Sequence, residues 1–168
     1  MVRPWRAEDA KDALGVYGDA DVARWLSPAM QQVADLEEMQ RVLAGWTAQQ
    51  DELVPPAGRW AVERLSDGRV IGGIALMVIP PWEQDLEFAW QLARDARGQG
   101  YAVEAARALA RWAFGHGGTD EVFAVVHSSN HAGTAMARRL GMEWVGETEK
   151  YYERTLQVYR LRGADLEG

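Results

Sequence analysis

The chain has 168 residues, 48% of them hydrophobic, and a formal net charge of −7 at pH 7. This length fits a single domain over residues 1–168, and the apolar fraction is enough for a continuous core. The absence of cysteine excludes disulfide scaffolds and cysteine-based zinc or nucleophile chemistry. The acidic balance argues against nucleic-acid binding, which needs clustered cations, and suits a neutral or cationic partner such as an amine.

No apolar run approaches the length that a membrane span needs. The first nine residues also lack the apolar segment of a secretory signal peptide. We therefore expect a cytoplasmic protein that does not bind membranes.

The first half of the chain is predicted to contain two helices and a hairpin. Apolar residues recur at helical spacing over 7–17 and again over 35–49, and a proline pair at 55–56 stops any helix beyond that point. Two apolar stretches, 60–65 and 70–79, flank a short polar turn and predict a β-hairpin.

The second half alternates strands and helices. Residues 85–92 alternate between apolar and polar side chains and predict a strand with Glu87 on its polar face. Residues 121–127 are apolar on both faces, as expected of a buried strand parallel to its neighbour. The other predicted elements are helices over 101–114 and 130–140 and strands over 142–151 and 156–161. This order predicts an α/β fold with a mixed sheet.

A glycine-bearing turn, Arg97-Gly98-Gln99-Gly100-Tyr101-Ala102, joins the strand at 85–92 to the next helix. The first amides of a helix have no partner within it, glycine lets a ligand approach the backbone, and the helix dipole favours an anion. With the fixed charge of Arg97, these groups would hold a pyrophosphate. A lone Gly-x-Gly is more often only a helix start. A dinucleotide-binding fold is disfavoured because Val103 occupies the place of its third glycine.

Linked motifs resemble those of the GNAT superfamily of N-acetyltransferases. The segment RGQGYA at 97–102 resembles the Arg/Gln-x-x-Gly-x-Gly/Ala motif with which these enzymes bind the pyrophosphate of coenzyme A. EFAWQL at 87–92, NHAGTAMARRLGM at 130–142 and the opening VRPWRAEDA at 2–10 are similar to the subfamily that acetylates the N-termini of ribosomal proteins. The resemblance covers nearly the whole chain in the right order and spacing.

This resemblance implies a mostly antiparallel central sheet flanked by helices, with one parallel strand pair that splays apart near Leu92 and His127. Acetyl-CoA is the implied co-substrate. The groups implied to bind it are the backbone of Gln91, Leu92 and Ala93 for the pantetheine arm, Arg97 with the amides of Gly98, Gln99, Gly100, Tyr101 and Ala102 for the pyrophosphate, and Asn130 on the pantetheine or acceptor side.

Glu87 is the candidate general base. Acetyl transfer needs an uncharged amine, and at pH 7 deprotonation costs about 4 kcal/mol for a lysine-like amine but only about 1 kcal/mol for an α-amino group. A base matters most for the first class. Glu87 is on the polar face of the strand expected to line the cleft, and it matches a glutamate of the subfamily. The alternative is a solvated carboxylate with no role in catalysis.

The general acid for the departing thiolate is left open by the sequence. Many GNAT enzymes have a tyrosine at the position of Ala137, and the ribosomal-type pattern has a serine at the position of Gly133. Neither hydroxyl is present here. Replacements near this segment are Ser129 and Thr134, and on the late strand Tyr151 and Tyr152; the thiolate could also leave without an acid.

The acceptor is expected to be a primary amine, either a protein N-terminus or a small molecule. Trp25, Trp46 and Trp82 lie in or beside the segments that the resemblance assigns to the acceptor cleft, and an aromatic lining would favour a bulky or cationic acceptor. A homodimer is common among relatives, although no apolar stripe here demands one.

Two other functions compete with an acetyltransferase. A non-catalytic acyl-CoA-binding or sensing module would keep the pyrophosphate turn and lose the acid and base. An NAD-dependent enzyme is the third hypothesis. No metal site is expected, because His127 and His131 straddle a strand end and a helix start instead of sharing one helix face.

Overall fold

A computed structural model of the chain describes residues 1–79, 82–149 and 154–166. The helices are α1 (Ala10–Tyr17), α2 (Ala20–Leu26), α3 (Leu36–Gln50), α4 (Tyr101–Gly115) and α5 (His131–Leu140). The strands are β1 (Val2–Pro4), β2 (Gly58–Glu63), β3 (Val70–Ile79), β4 (Trp82–Leu92), β5 (Glu121–His127), β6 (Glu143–Thr148) and β7 (Leu156–Arg162). Within these ranges, no helix is both long enough and apolar enough to cross a membrane.

The strands form one sheet in the order β1-β2-β3-β4-β5-β7-β6. Neighbouring strands are antiparallel except β4 and β5, which are parallel. In the described residues the β4–β5 ladder is confined to one pair, Glu87 opposite Phe123. The strands then continue to Leu92 and His127 as the splayed arms of this pair. The predicted mixed sheet with one splayed parallel pair is confirmed.

Helices cover both faces of the sheet. A Cβ atom added to Gly73 of β3 would lie 2.0 Å from the Tyr17 hydroxyl, so α1 packs closely on the face that includes Gly73 and its β4 partner Gln91. On the opposite face, Trp60 of β2 packs edge-on against Trp112 of α4, with ring centroids 5.6 Å apart. Because side chains alternate along a strand, Glu87 and Gln91 share the α1 face.

The predicted burial of β5 on both faces is wrong. Val122, Ala124 and Val126 are buried, but the side chains between them are only half-buried. The buried set faces α5, since Val126 lies beside Gly133 of that helix. The half-buried set, Phe123, Val125 and His127, lies on the face of Glu87 beside the splayed arms. This face is open because it borders the cleft.

Most element boundaries agree with the sequence predictions to within three residues; for example, β4 begins at Trp82 and not at 85, and α1 begins at Ala10 and not at 7. The helix α2 was not predicted from periodicity. Asn130 precedes α5 and caps it instead of forming its first turn. The strand predicted over 142–151 ends at Thr148 within the described residues, and the end of that range lies outside them.

Candidate active site

The turn between β4 and α4 has an open, left-handed backbone. Gly98 and Gly100 have φ angles of +75° and +85°, a conformation in which a Cβ atom is strained. A Cβ at either position would meet no protein atom within 4 Å, so the glycines are required by backbone conformation and leave room above the turn. Gly100 precedes α4, and no side chain in the described residues caps this helix. Free amides and open space therefore coincide, and an anionic phosphate fits both.

The Arg97 side chain is held between the end of β4 and the start of α2 by contacts on two sides. Its Nε donates to the Leu92 carbonyl at 3.2 Å, and its terminal nitrogens lie 3.7 Å from Asp19 and 3.8 Å from Asp21 of α2. Arg94 lies 3.4 Å and 3.0 Å from the same two carboxylates. The two arginines thus have acidic partners at the start of α2, and a bound phosphate would compete for Arg97.

The residues at the end of β4 make hydrogen bonds within the protein, and these limit the backbone and side-chain groups that remain for a ligand. The Ala93 amide donates to the Ile71 carbonyl at 2.8 Å, and the Leu92 carbonyl accepts from Arg97. The side-chain oxygen of Gln91 accepts from the Tyr17 hydroxyl at 3.2 Å. The structure thus brings Gln91, Leu92 and Ala93 to the splayed arm beside the turn. Their role toward pantetheine stays a prediction, and the Ala93 N–H is already bonded within the protein.

Glu87 lies at the vertex of the splay, between Met77 of β3 and Phe123 of β5. It is half-buried on the polar face predicted for it. Burial disfavours the charged carboxylate and raises the pKa of Glu87 to about 7. A carboxyl group with a pKa near neutrality can accept and release a proton at physiological pH. The sequence pattern located this residue, but its shifted pKa depends on packing.

Opposite Gln91, the end of β5 presents a histidine whose ring is fixed on two sides. His127 Nδ1 lies 2.7 Å from the Ser129 hydroxyl and accepts from the Ser129 amide at 3.2 Å. Its ring centroid is 5.8 Å from that of Trp25 on α2, and the Arg24 guanidinium lies 4.7 Å from the centroid of the same tryptophan ring. Sequence analysis weighed His127 only as a metal ligand and missed this arrangement.

Packing around α5 leaves little room for the hydroxyls of the family pattern at Gly133 and Ala137. Asn130 caps the helix, its side-chain oxygen accepting from the Gly133 amide at 2.9 Å. A Cβ atom on Gly133 would lie 2.8 Å from the Asn130 side-chain nitrogen and 2.9 Å from a Val126 methyl group. Ala137 is fully buried in the core. A serine and a tyrosine at these positions would therefore need the surroundings to move. Tyr151 and Tyr152 lie outside the described residues.

The tryptophans divide between core and cleft. Trp46 packs against Trp5 and Tyr17, with centroids 5.7 Å and 5.2 Å away, so this ring belongs to an aromatic cluster under α1 and α3. Burial in that cluster raises the pKa of the Tyr17 hydroxyl. Of the three tryptophans expected to line the cleft, Trp25 lies beside a site residue, His127. The side chain of Trp82 lies outside the part of the chain that the structure describes.

In the part of the chain that the structure describes, no group of three or more His, Cys, Asp or Glu side chains is arranged to hold a metal ion. His127 ends β5 and His131 begins α5, as the sequence analysis predicted from their spacing.

Comparison with known proteins gives one family. The family model described as an acetyltransferase (GNAT) domain matches residues 1–143. An acetyltransferase from Agrobacterium tumefaciens has 24% sequence identity and a TM-score of 0.75, with 96% of this chain and 89% of that chain covered.

Two structures with named activities have the same fold. The ribosomal-protein-S5-alanine acetyltransferase from Vibrio fischeri has 16% identity and a TM-score of 0.77, with 99% of this chain and 94% of that one covered. The aminoglycoside acetyltransferase AAC(6')-Ib, solved with ribostamycin and coenzyme A, has 15% identity and a TM-score of 0.78, with 99% and 95% covered. The GNAT resemblance inferred from the linked motifs is thereby confirmed. Because the family model spans most of the chain, this protein belongs to the GNAT family of acetyltransferases, whose acetyl donor is acetyl-CoA.

Proposed function

We propose that this chain, acting as one domain, transfers an acetyl group from acetyl-CoA to a primary amine by direct attack within a ternary complex. The observation that carries the proposal is Glu87, a carboxyl group with a pKa of about 7 at the vertex of the splayed strands. The glycine turn that begins α4 lies at the open end of the same strand. One end of the cleft thus has anion-binding amides and the other has a base.

Binding would use the amides at the start of α4 and would draw Arg97 away from its acidic partners. The amides of Gly98 to Ala102 and the Arg97 guanidinium would hold the pyrophosphate, and the backbone near Gln91 would hold the pantetheine arm. The side-chain oxygen of Asn130 already accepts a hydrogen bond as the cap of α5. Only its side-chain N–H groups would therefore donate to the cofactor. This arrangement would direct the thioester toward Glu87.

In this reaction the amine must lose its protons and the thioester must lose its thiolate. Glu87, about half ionised at pH 7, takes the ammonium proton, directly or through water, so that the uncharged amine nitrogen can form a bond to the thioester carbon. The second proton leaves this nitrogen to solvent as the amide forms. The carbon–sulfur bond then breaks with its electron pair on sulfur. Glu87 returns its proton to solvent between turnovers. Its pKa near neutrality suits both steps.

The acceptor class is proposed as a primary amine, with protein α-amines and small-molecule amines both open. The fold is shared with a ribosomal-protein acetyltransferase and with an aminoglycoside acetyltransferase, and fold does not fix the substrate. A base with a pKa of about 7 is of most use to an amine that is protonated at neutral pH.

A non-catalytic acyl-CoA sensor is the second candidate. Two observations favour it: the family hydroxyls are absent at Gly133 and Ala137, and packing leaves no space to accommodate them. A sensor needs the turn at 97–102 but has no use for an ionisable group at the vertex of the cleft.

Release of coenzyme A from acetyl-CoA, measured against a panel of α-amino peptides, polyamines and aminoglycosides, tests the choice. We expect turnover with at least one class, and a loss of about 100-fold or more in Glu87→Gln with coenzyme A affinity retained. Glu52→Gln, on an exposed turn, is the matched control. Tight coenzyme A binding without turnover on any amine would support the sensor instead.

A further inference from the structure

We propose that His127 donates a hydrogen bond from Nε2 to the sulfur of coenzyme A and so stabilises the leaving thiolate. This inference rests on the proposed function, since it requires the pantetheine arm to lie between the splayed strands. It assigns a group to the step whose acid the sequence leaves open. Its basis is the register of β4 and β5 and the bonds that fix the imidazole ring.

Register places His127 level with Gln91 across the splay. Glu87 and Phe123 are directly paired, and Gln91 and His127 each lie four residues beyond that pair, about 13 Å at the usual rise per residue. Because Gln91 and His127 are each an even number of residues from the paired position, their side chains are on the same face of the sheet as Glu87. A pantetheine arm that enters from the turn at 97–102 toward Glu87 must pass between these two residues. The sulfur then lies at their level, and Glu87 acts through water on an amine placed between the sulfur and the vertex of the splay.

The hydrogen bonds of the ring determine which nitrogen bears the proton. The Ser129 amide, 3.2 Å from Nδ1, can only donate, so Nδ1 must have its lone pair free. The Ser129 hydroxyl, 2.7 Å from the same atom, then donates as well. The proton of the neutral ring is therefore on Nε2, which points away from Ser129 and is a donor.

This tautomer defines the chemistry that His127 can perform. A neutral imidazole that gave up its Nε2 proton would become an anion, so His127 is a hydrogen-bond donor and not a source of protons. As the carbon–sulfur bond breaks, its electron pair moves to sulfur, and the Nε2–H group stabilises that charge. The amine proton goes to Glu87, and coenzyme A is released as the thiolate or takes a proton from water. No other reactant is needed.

The position of the ring is maintained by α2. Trp25 packs against His127, and Asp19 and Asp21 at the start of the same helix contact Arg97 at the turn. The helix therefore joins the residue at the sulfur to the turn at the pyrophosphate. The Tyr17 hydroxyl fixes Gln91 on the other side of the splay. Both flanking side chains are thus held in place by neighbours.

The test is the thiol pKa of coenzyme A in its binary complex with the protein, followed by the ultraviolet absorbance of the thiolate. We expect His127→Leu to raise this pKa by about one unit, the size of one hydrogen bond to an anion. His127→Gln, whose amide N–H can replace Nε2–H, should restore much of the difference. The exposed His131 supplies the matched control, His131→Leu, which should leave the pKa unchanged.

Two results would overturn the proposal. One is an equal thiol pKa in the wild type and in both His127 variants while calorimetry shows coenzyme A bound to each. The other, independent of any substitution, is a ¹⁵N spectrum of the histidine rings in which Nδ1 of His127 bears the proton. Failure of the wild-type protein to bind coenzyme A would be a different outcome, because it would remove the proposed function itself.

Discussion

Glu87 links catalysis to stability through its ionisation. Burial raises its pKa from 4.5 to about 7. The folded state is therefore more stable with the neutral carboxyl than with the carboxylate. Its contribution to the free energy of unfolding is therefore complete below about pH 4.5 and is lost as the pH rises through 7. The shift corresponds to roughly 3 kcal/mol at high pH. The protein bears this cost where the proposed reaction needs a base.

Glu87→Gln is therefore expected to be more stable than the wild type at pH 8, by up to roughly 3 kcal/mol, and about equally stable at pH 4. Glutamine resembles the neutral carboxyl and does not ionise. Urea unfolding at a series of pH values measures the difference, with Glu52→Gln as a control on an exposed side chain. Equal stability of the Glu87 variant and the wild type at pH 8 would mean that Glu87 is well solvated and that its pKa is not raised.

Gly133 is fixed by packing, and Gly133→Ser should not restore a catalytic hydroxyl. A Cβ atom there would lie within 3 Å of both Asn130 and Val126, so the substitution overpacks the start of α5 and should cost about 1–3 kcal/mol. The control is Gly45→Ser on α3, where a Cβ meets nothing within 4 Å, and serine is the better helix former. Thermal unfolding should show a loss for the first variant only. A Gly133 variant of unchanged stability and higher turnover would contradict this account.

At the scale of elements, the sequence was informative wherever local pattern decides structure. The boundaries of β3 and β5 match the predicted 70–79 and 121–127, because apolar stretches bounded by turn residues are local signals. The glycine turn was likewise readable, since Gly98 and Gly100 have the positive φ angles for which glycine is chosen.

The elements that the sequence did not reveal depend on contacts between distant segments. The helix α2 is seven residues long with one buried apolar residue, Val22, too little for a periodic signal. It is held by the Asp19 cap, by ion pairs to Arg94 and Arg97, and by Trp25 against His127. The same limit applies to the site: Glu87 was located by alternation, but the Tyr17–Gln91 bond joins residues 74 apart.

The turn before α4 allows a matched pair of substitutions. Gly100→Ala and Gly68→Ala both place a Cβ in the left-handed region and in open space, at φ angles of +85° and +72°. Each should cost about 1–2 kcal/mol of stability for the same conformational reason. Only Gly100→Ala should also weaken coenzyme A binding, because only that Cβ would enter the space proposed for the pyrophosphate. Calorimetric titration measures the affinities; an equal loss in both variants would mean that the turn at 97–102 does not contact the ligand.

At the scale of the whole molecule, the sheet combines a rigid frame with one built-in opening. In the described residues its seven strands pair antiparallel in two groups, β1 to β4 on one side of the cleft and β5, β7 and β6 on the other. The parallel β4–β5 pair that joins the groups diverges after a single paired position. An opening between parallel strands leaves backbone groups without strand partners, and these must be satisfied by solvent or by a ligand. The cleft is therefore the place in the sheet where a ligand with its own hydrogen-bonding groups gains most.

A ligand bound in this opening should stabilise the entire fold, because it joins β4, the turn before α4 and the end of β5. Acetyl-CoA or coenzyme A at a hundred times its dissociation constant should raise the free energy of unfolding by about 2.7 kcal/mol, measured as an upward shift of the thermal transition. NAD and ATP at the same concentrations test whether any adenine nucleotide suffices, and we expect neither to give this shift. Stabilisation by NAD alone would replace acetyl transfer with dinucleotide chemistry. A shift with coenzyme A that Gly100→Ala reduces and Gly68→Ala does not would place the pyrophosphate on the glycine turn.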